Sequence, residues 1–361
     1  MEPMRIDRTA VAILMPGYPD AVGGVADQTV RLVRSWSANN CLVAVKGDIS
    51  VDPTTLALEL STAGVRSVLI QYVPFLYSKK GLSRFPRKFA IAARERGIRT
   101  TVFVHEPWVP ATRIPWWILS PLQKRQLRQL VGIVDTVATP VPAWGRELGT
   151  SATIIYSGTN LGTPTEEMLK QSAGNSPAVF SPFAAGLNWE WIAAAVERVD
   201  SSPLPHPPPP PSPLTIIGAN AEQFRHHPVT GRWFREEWDY KGRLEADDTL
   251  SLIAKAPLIL APFIDGVTGR RTSISAALST GVRIVSSDGH LYDDAFDDSP
   301  IHVARSQEEF SATTRELLRA PDTGAARAER LAWYVENVDY HLLDSHLLSL
   351  VTGQKRQSVY E

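Results

Sequence analysis

The sequence predicts an α/β protein built from two doubly wound, parallel-sheet domains in tandem. Three observations lead there. Short apolar runs alternate with helical patterns along most of the chain. A strand, glycine loop, helix unit occurs once in each half. The 361 residues are long for one hydrophobic core and fit two domains of ordinary size. Strands joined by helical crossovers run parallel, and such a sheet is covered on both faces.

Residues 10–15 read as the first strand, and the loop GYPDAVGG leads into a helix with Ala26, Thr29, Val30 and Val33 on one face. Further strands are expected at 42–45, 67–71, 100–104, 133–138 and 153–156. The texture then turns small, polar and glycine-rich, and a second series begins at 178–180 and continues through 214–217. Domains are accordingly expected at 1–165 and 166–330. The proline-rich SSPLPHPPPPPSPL, 201–214, reads as an extended surface loop (201–213) within the second, a protein-recognition PxxP segment being the alternative.

Composition narrows the class. A net charge of -1 gives no global electrostatic reason to bind nucleic acid, so none is expected. Cys41 is the single cysteine, which excludes an intramolecular disulfide and a cysteine-rich zinc site, and it is expected as a small core residue. No window approaches transmembrane length and no secretory pattern stands at the N-terminus, so a cytoplasmic location is expected.

The richest segment is APFIDGVTGRRTSISAALSTGVRIVSSDG, 261–289. An apolar strand at 257–261 runs into a loop that Gly266 and Gly269 let approach a ligand closely. Thr272 or Ser273 is the expected N-cap, Ile274, Ala277 and Leu278 share a face, Gly281 ends the helix, and 282–285 resumes a strand. Unpaired N–H groups at the helix start, with Arg270 and Arg271 beside them, would offer a diphosphate several donors at once. An ordinary crossover with two surface arginines has the same local pattern. The loop at 17–24 is not GxGxxG, which disfavours a dinucleotide-binding oxidoreductase.

In order and spacing, Gly23-Gly24-Val25, His105-Glu106-Pro107, YSGTNLG at 156–162 and the Asp265, Gly266, Arg270, Arg271, Ser273 constellation resemble GT-B glycosyltransferases of the retaining family-4 type. The resemblance covers most of the chain and implies two tandem Rossmann-like domains facing a cleft. It implies an acceptor-side N-terminal domain, a nucleotide-sugar-binding C-terminal domain, and terminal helices at 331–361 that pack back on the first. The implied reaction moves a sugar from a nucleoside-diphosphate sugar to a hydroxyl acceptor (a glycan, lipid-linked sugar or metabolite) in carbohydrate biosynthesis, without cofactor or metal.

Carried residue by residue, the resemblance makes His105, Asp265 and Arg271 the catalytic candidates. Arg270, Thr272, Ser273, Gly266 and Gly269 become donor and phosphate ligands, and Gly23, Gly24 and Glu106 line the acceptor side. A leaving diphosphate gains negative charge, which fixed cations and helix donors would stabilise. The chain departs from the family where Asp265 takes the place of the first loop glutamate and Ala276 that of the second. FSPFAAG at 180–186 also lacks the usual basic pair, whose charge Arg270 and Arg271 could replace. A sugar-nucleotide 2-epimerase of the same fold and a noncatalytic sugar-nucleotide-binding protein are the competing readings.

Residues 71–88 and 113–130 combine aromatic and basic residues, including Trp116 and Trp117. Peripheral contact with a membrane surface and a solvated basic face over core aromatics both fit that pattern.

Overall fold

The computed structural model describes residues 9–21, 23–111, 114–149, 151–171, 174–181, 186–197 and 213–354. The proline-rich stretch at 201–212 and residues 182–185 of FSPFAAG lie outside them. The chain forms two compact units, Met1–Tyr156 with His341–Glu361, and Ser157–Tyr340. The changes of unit thus fall at 156/157 and 340/341, beside the 165/166 and 330/331 expected from sequence.

The first unit contains β1 (Ala10–Leu14), β2 (Leu42–Lys46), β3 (Ser67–Tyr72), β4 (Arg99–Val104), β5 (Thr136–Thr139) and β6 (Thr153–Ile154). Between them run α1 (Gly24–Ala38), α2 (Pro53–Thr62), α3 (Pro74–Tyr77), α4 (Phe85–Glu95), α5 (Ile114–Val131) and α6 (Pro142–Leu148). All strand pairs are parallel, in the order β2-β1-β3-β4-β5-β6. Alternation sends Ala12, Leu14, Val68, Ile70, Val102 and Val104 into one core with Leu56, Leu60, Phe89 and Ala93 from α2 and α4. Residues of the other phase, Ile13, Leu69 and Phe103, are buried as well, as expected of a sheet covered on both sides.

The second unit contains β7 (Ala178–Phe180), β8 (Thr215–Ile217), β9 (Asp239–Gly242), β10 (Ile259–Ala261), β11 (Ile284–Ser287) and β12 (Ile301–Ala304). Its helices are α7 (Glu166–Leu169), α8 (Trp189–Val196), α9 (Ala221–His226), α10 (Ala246–Lys255), α11 (Thr272–Ser279), α12 (Gln307–Arg319) and α13 (Gly324–Asn337). The parallel order is β12-β11-β10-β7-β8-β9, so the winding direction reverses between β7 and β10. In the first unit it reverses between β1 and β3. Ligands of open α/β sheets bind beyond the strand carboxyl ends at such reversals.

The last helix, α14 (Tyr340–Thr352), lies in the first unit from His341 onward. Leu343, Leu347 and Val351 are buried, Ser35 hydrogen-bonds Asp344, and Arg99 Nε donates to the Leu350 carbonyl at 3.4 Å. The helix α13 stays in the second unit, where buried Arg330 donates to the Gly281 carbonyl (2.6 Å) and to both oxygens of Asp322 (2.7 Å). Gly281 is required there twice over. Its φ is +67°, and a Cβ would come within 2.8 Å of Leu331 and 2.9 Å of Arg327.

Several expectations need correction. The buried face of α1 is Ala26, Gln28, Thr29, Leu32 and Trp36, with Val30 and Val33 half-buried at its flanks. Cys41 is half-buried, because it enters the edge strand β2, whose Leu42 is 52 % exposed. The fifth strand starts at Thr136, since 132–135 form the turn after α5, with the Ile133 N–H returning to the Leu130 carbonyl at 2.9 Å. The strand β9, read from DYKG, has no apolar alternation to reveal it; it is an edge strand beside an aromatic cluster in which Phe224 meets Trp189 edge-on at 4.7 Å. Among the described residues no helix is long and apolar enough to cross a membrane.

Candidate functional site

The loop 262–271 leaves β10 at the reversal of the second sheet, and backbone bonds hold it on three sides. The Asn188 N–H donates to the Pro262 carbonyl (2.7 Å) and the Ile264 N–H to the Gly186 carbonyl (3.0 Å), so the chain following β7 lies along its first half. The Val267 N–H reaches the Ser287 carbonyl (3.0 Å), and the Leu291 N–H reaches that of Asp265 (3.0 Å). The Ser157 N–H donates to the Gly269 carbonyl (2.7 Å), and Ser275 Oγ on α11 donates to the Ser157 carbonyl (2.6 Å). Gly266 has φ +90°, and a Cβ on it would stand 2.8 Å from the Gly289 nitrogen. A Cβ on Gly289 would stand 2.5 Å from Asp265 backbone. Both glycines are there because two main chains touch.

Asp265, Arg270 and Arg271 form one cluster on this frame. Each arginine gives an Nη2 to a different oxygen of the Asp265 carboxylate. Side-chain exposures of 16 %, 21 % and 20 % place the trio, two cations on one carboxylate, at a partly shielded surface. The Arg271 guanidinium also lies 4.2 Å from the Phe263 ring centroid. Carboxylate and ring together fix the direction of its fork.

The helix start differs from expectation. The N-cap position is Arg271, without a side-chain cap, and Thr272 and Ser273 are the first two helical residues, both half-buried. The Arg271 N–H goes to the Thr268 carbonyl (3.1 Å), that of Thr272 to Arg270 (3.1 Å), and that of Ile274 to Arg271 (2.9 Å). Most of the N–H groups expected to be free are therefore already engaged, which leaves the arginines as the candidates in this loop for contact with an anion. Residues Ile274 to Ser279 are buried all round rather than on one face, with α10 and α13 both packed against the helix; Ala276 is fully buried.

In the first unit His105 follows β4 directly. Its Nε2 lies 2.6 Å from Gln71 Oε1, its N–H donates to the Tyr72 carbonyl (3.0 Å), and its ring packs 4.4 Å from that of Phe103. Gln71, fully buried, donates through Nε2 to Thr29 Oγ1 at 3.3 Å, and Thr29 donates to the Val25 carbonyl at 2.8 Å. The far end fixes the direction of this chain. A carbonyl only accepts, so Thr29 must donate to it and receive from Gln71, leaving Gln71 Oε1 to accept from His105. A neutral His105 thus carries its proton on Nε2 and leaves Nδ1 as the acceptor. Removal from water pushes its pKa down to about 3, so the ring is neutral near pH 7.

Glu106 is exposed beside His105. Gly23, with φ 131° and ψ 174°, precedes α1, and Gly24 is its first residue. The second unit therefore brings Asp265, Gly266, Gly269, Arg270, Arg271, Thr272 and Ser273 together. The first gathers His105 and Glu106 after β4, and Gly23 and Gly24 after β1, joined by the Gln71–Thr29 chain. Sequence reading missed Gln71, Thr29 in its polar role, Phe263, Gly289 and Ser157. Phe263 and Gly289 do lie within 261–289 and Ser157 within 156–162; Gln71 carried the one signal of a polar residue at the end of an apolar run.

No known sequence family matches the chain, and no curated protein matches it in sequence. Solved structures do. HepE of Anabaena, determined with UDP and glucose, matches with a TM-score of 0.63 at 12 % identity, over 96 % of this chain and 100 % of that one. Sucrose-phosphate synthase of Thermosynechococcus elongatus matches at 0.71 and 12 %, over 96 % and 99 %. WaaG, a glycosyltransferase involved in lipopolysaccharide biosynthesis, matches at 0.60 and 12 %, over 95 % and 100 %. These structures are GT-B glycosyltransferases, and with its two six-stranded parallel sheets the present chain has that fold.

Proposed function

We propose that the protein is a glycosyltransferase that moves a sugar from a nucleoside-diphosphate sugar to a hydroxyl acceptor, without a metal or other cofactor. One observation carries this reading: Asp265 and Phe263 hold two arginines in fixed orientation at the strand reversal of the second sheet, where a diphosphate would lie. As the bond between the anomeric carbon and the diphosphate oxygen breaks, that oxygen gains charge, and Arg270 and Arg271 stabilise it without reorganising. Asp265 keeps the forks in place before the donor arrives. Gly266 and Gly269 let the loop run close to the phosphates, with Thr272 and Ser273 at their edge.

On the acceptor side, neutral His105 offers Nδ1 to a hydroxyl of the donor sugar or the acceptor, Glu106 stands beside it, and Gly23 and Gly24 leave room for the acceptor. The family-4 resemblance supports retention at the anomeric carbon, and a cytoplasmic role in carbohydrate biosynthesis goes with it. Thermal-shift titration with UDP, GDP, ADP and TDP, with EDTA present, tests the donor site. One nucleoside diphosphate should stabilise the protein and Arg271→Ala should abolish the shift; no shift with any of the four rejects the reading. Incubating the sugar nucleotide without acceptor then separates transfer from epimerisation, which needs no acceptor.

A further inference from the structure

We infer that the first unit carries a docking surface for an anionic lipid bilayer, formed by the outward face of α5 and the segment 75–88. The charge is concentrated there. Residues 75–88 and 114–131 together hold eight lysines and arginines and no carboxylate, in a chain whose net charge is -1; from neighbouring elements Glu147 meets Lys124 at 2.6 Å and Asp52 lies within electrostatic reach of Lys88. A region this basic in a neutral chain marks an anionic partner.

Exposed apolar side chains in the same region narrow the kind of partner. Ile114, Trp117, Ile118 and Leu122 are 81 %, 66 %, 67 % and 45 % exposed, and their spacing puts them on one side of α5, opposite the inward Ser120, Gln123, Leu127 and Leu130. Phe75 and Leu82 are 45 % and 37 % exposed on the neighbouring segment. That segment is tied to α5: Gln123 Nε2 donates to the Gly81 carbonyl (3.2 Å), and the Ser83 N–H donates to Gln126 Oε1 (2.8 Å). Lys79, Lys80, Arg84, Arg87 and Lys88 are exposed around the apolar residues of the segment, and Arg125 and Arg128 continue the outward side of α5.

A nucleic acid would take the cations and leave Trp117, Ile118 and Ile114 in water. A bilayer takes both, with the apolar side chains entering the interface and the cations meeting lipid phosphates. Neither signal alone holds a protein firmly at a membrane, whereas the two together do. Trp117 suits the boundary, because its ring is apolar and its N–H polar.

Flotation of the full chain with phosphatidylcholine vesicles, with and without phosphatidylglycerol, is the test, and it needs neither donor nor turnover. The protein is expected to float with the anionic vesicles, not with the neutral ones, and to be released by high salt. The double variant Trp117→Ala/Ile118→Ala should lower partition at least tenfold, and Lys79→Gln and Lys80→Gln about fivefold each. Leu58→Ala, at an exposed apolar position outside the patch, should change nothing. Brominated lipid should quench fluorescence in the wild type and much less in Trp117→Phe. Absence of flotation with anionic vesicles overturns the inference, as does flotation that ignores both sets of variants. Self-association abolished by the Trp117/Ile118 variant, without flotation, would instead assign the patch to a second copy of the chain.

Discussion

Each sheet has a strand at its winding reversal that runs through a glycine loop into a helix, and the two connections differ in charge and in how closely the end of the loop is packed. In the first unit the loop from β1 to α1 contains Asp20 and no lysine or arginine; its first half lies against the chain after β2, where a Cβ on Gly47 would stand 2.2 Å from the Tyr18 carbonyl oxygen, whereas at its far end a Cβ on Gly23 would meet nothing within 4 Å. In the second, the loop from β10 to α11 is pressed against 287–291 and carries Asp265, Arg270 and Arg271. Neither helix has a side-chain N-cap. The same topology therefore yields one strand end whose loop carries no cation and is open at Gly23, and one whose loop is cationic and closed at Gly266 and Gly289. On the proposed reading the first would take the hydroxyl acceptor and the second the diphosphate. Topology only locates the two sites; loop chemistry differentiates them.

Removing the charge should break the contrast most. Arg271→Ala is expected to lower turnover at least a hundredfold with the fold retained, since it deletes a preorganised donor to the leaving group. Asp265→Asn should act in the same direction less severely, because one fork loses its acceptor oxygen and both lose the carboxylate charge. Single-turnover transfer assays measure both, and an unchanged rate in Arg271→Ala would mean that the cationic loop is merely structural.

Closure of the second loop can be broken without touching charge. In Gly289→Ala the new methyl would stand 2.5 Å from Asp265 backbone. Main chain cannot move aside as a flexible side chain can, so the variant should lose about 2–3 kcal/mol. Chemical denaturation followed by a probe in the second unit reads this loss; a midpoint equal to the wild type would show that the loop yields.

Most of the architecture was readable from the sequence because burial on both faces makes parallel strands apolar throughout, as in AVAIL and SVLIQY. The edge strand β9 escaped because half-exposed edges need not be apolar. Within the site, Arg270 and Arg271 were visible as residue types, but their clamp on Asp265 depends on side-chain direction. The engagement of the α11 N–H groups was hidden too, since it follows from a tight turn at 268–271 that the letters TGRR do not specify. Gln71 and Thr29 were hidden for a different reason. They are joined by a hydrogen-bond chain across three elements, and sequence spacing carries no trace of it.

That chain permits a test on the first unit, of intermediate size. Gln71→Leu removes the acceptor of His105 Nε2 and should lower turnover about tenfold, the scale of one misdirected catalytic hydrogen bond. Imidazole nitrogen shifts should show His105 protonated on Nε2 in the wild type, and a proton on Nδ1 would refute the assigned direction. The pH dependence follows from the lowered pKa. Folded His105 stays neutral down to about pH 3, whereas the unfolded chain takes up a proton below its ordinary value of 6.5. In that window the unfolded state binds more protons, so stability present above 6.5 is lost as pH falls toward 3. His105→Gln should flatten this slope in denaturation midpoints recorded against pH.

The smallest expected effect comes from the open loop itself. Gly23 has φ 131° and ψ 174°, a conformation that residues with a Cβ almost never adopt, although the space around it is empty. Gly23→Ala should therefore cost about 1 kcal/mol through the backbone alone, with no clash to add. Should the loss match that of Gly289→Ala, the Gly23 end of the first loop would be as constrained as the second loop, and the contrast would reduce to charge. A small stability loss with a clear rise in acceptor KM would instead show that the space above Gly23 is occupied during turnover, which a purely structural role of the glycine would not produce.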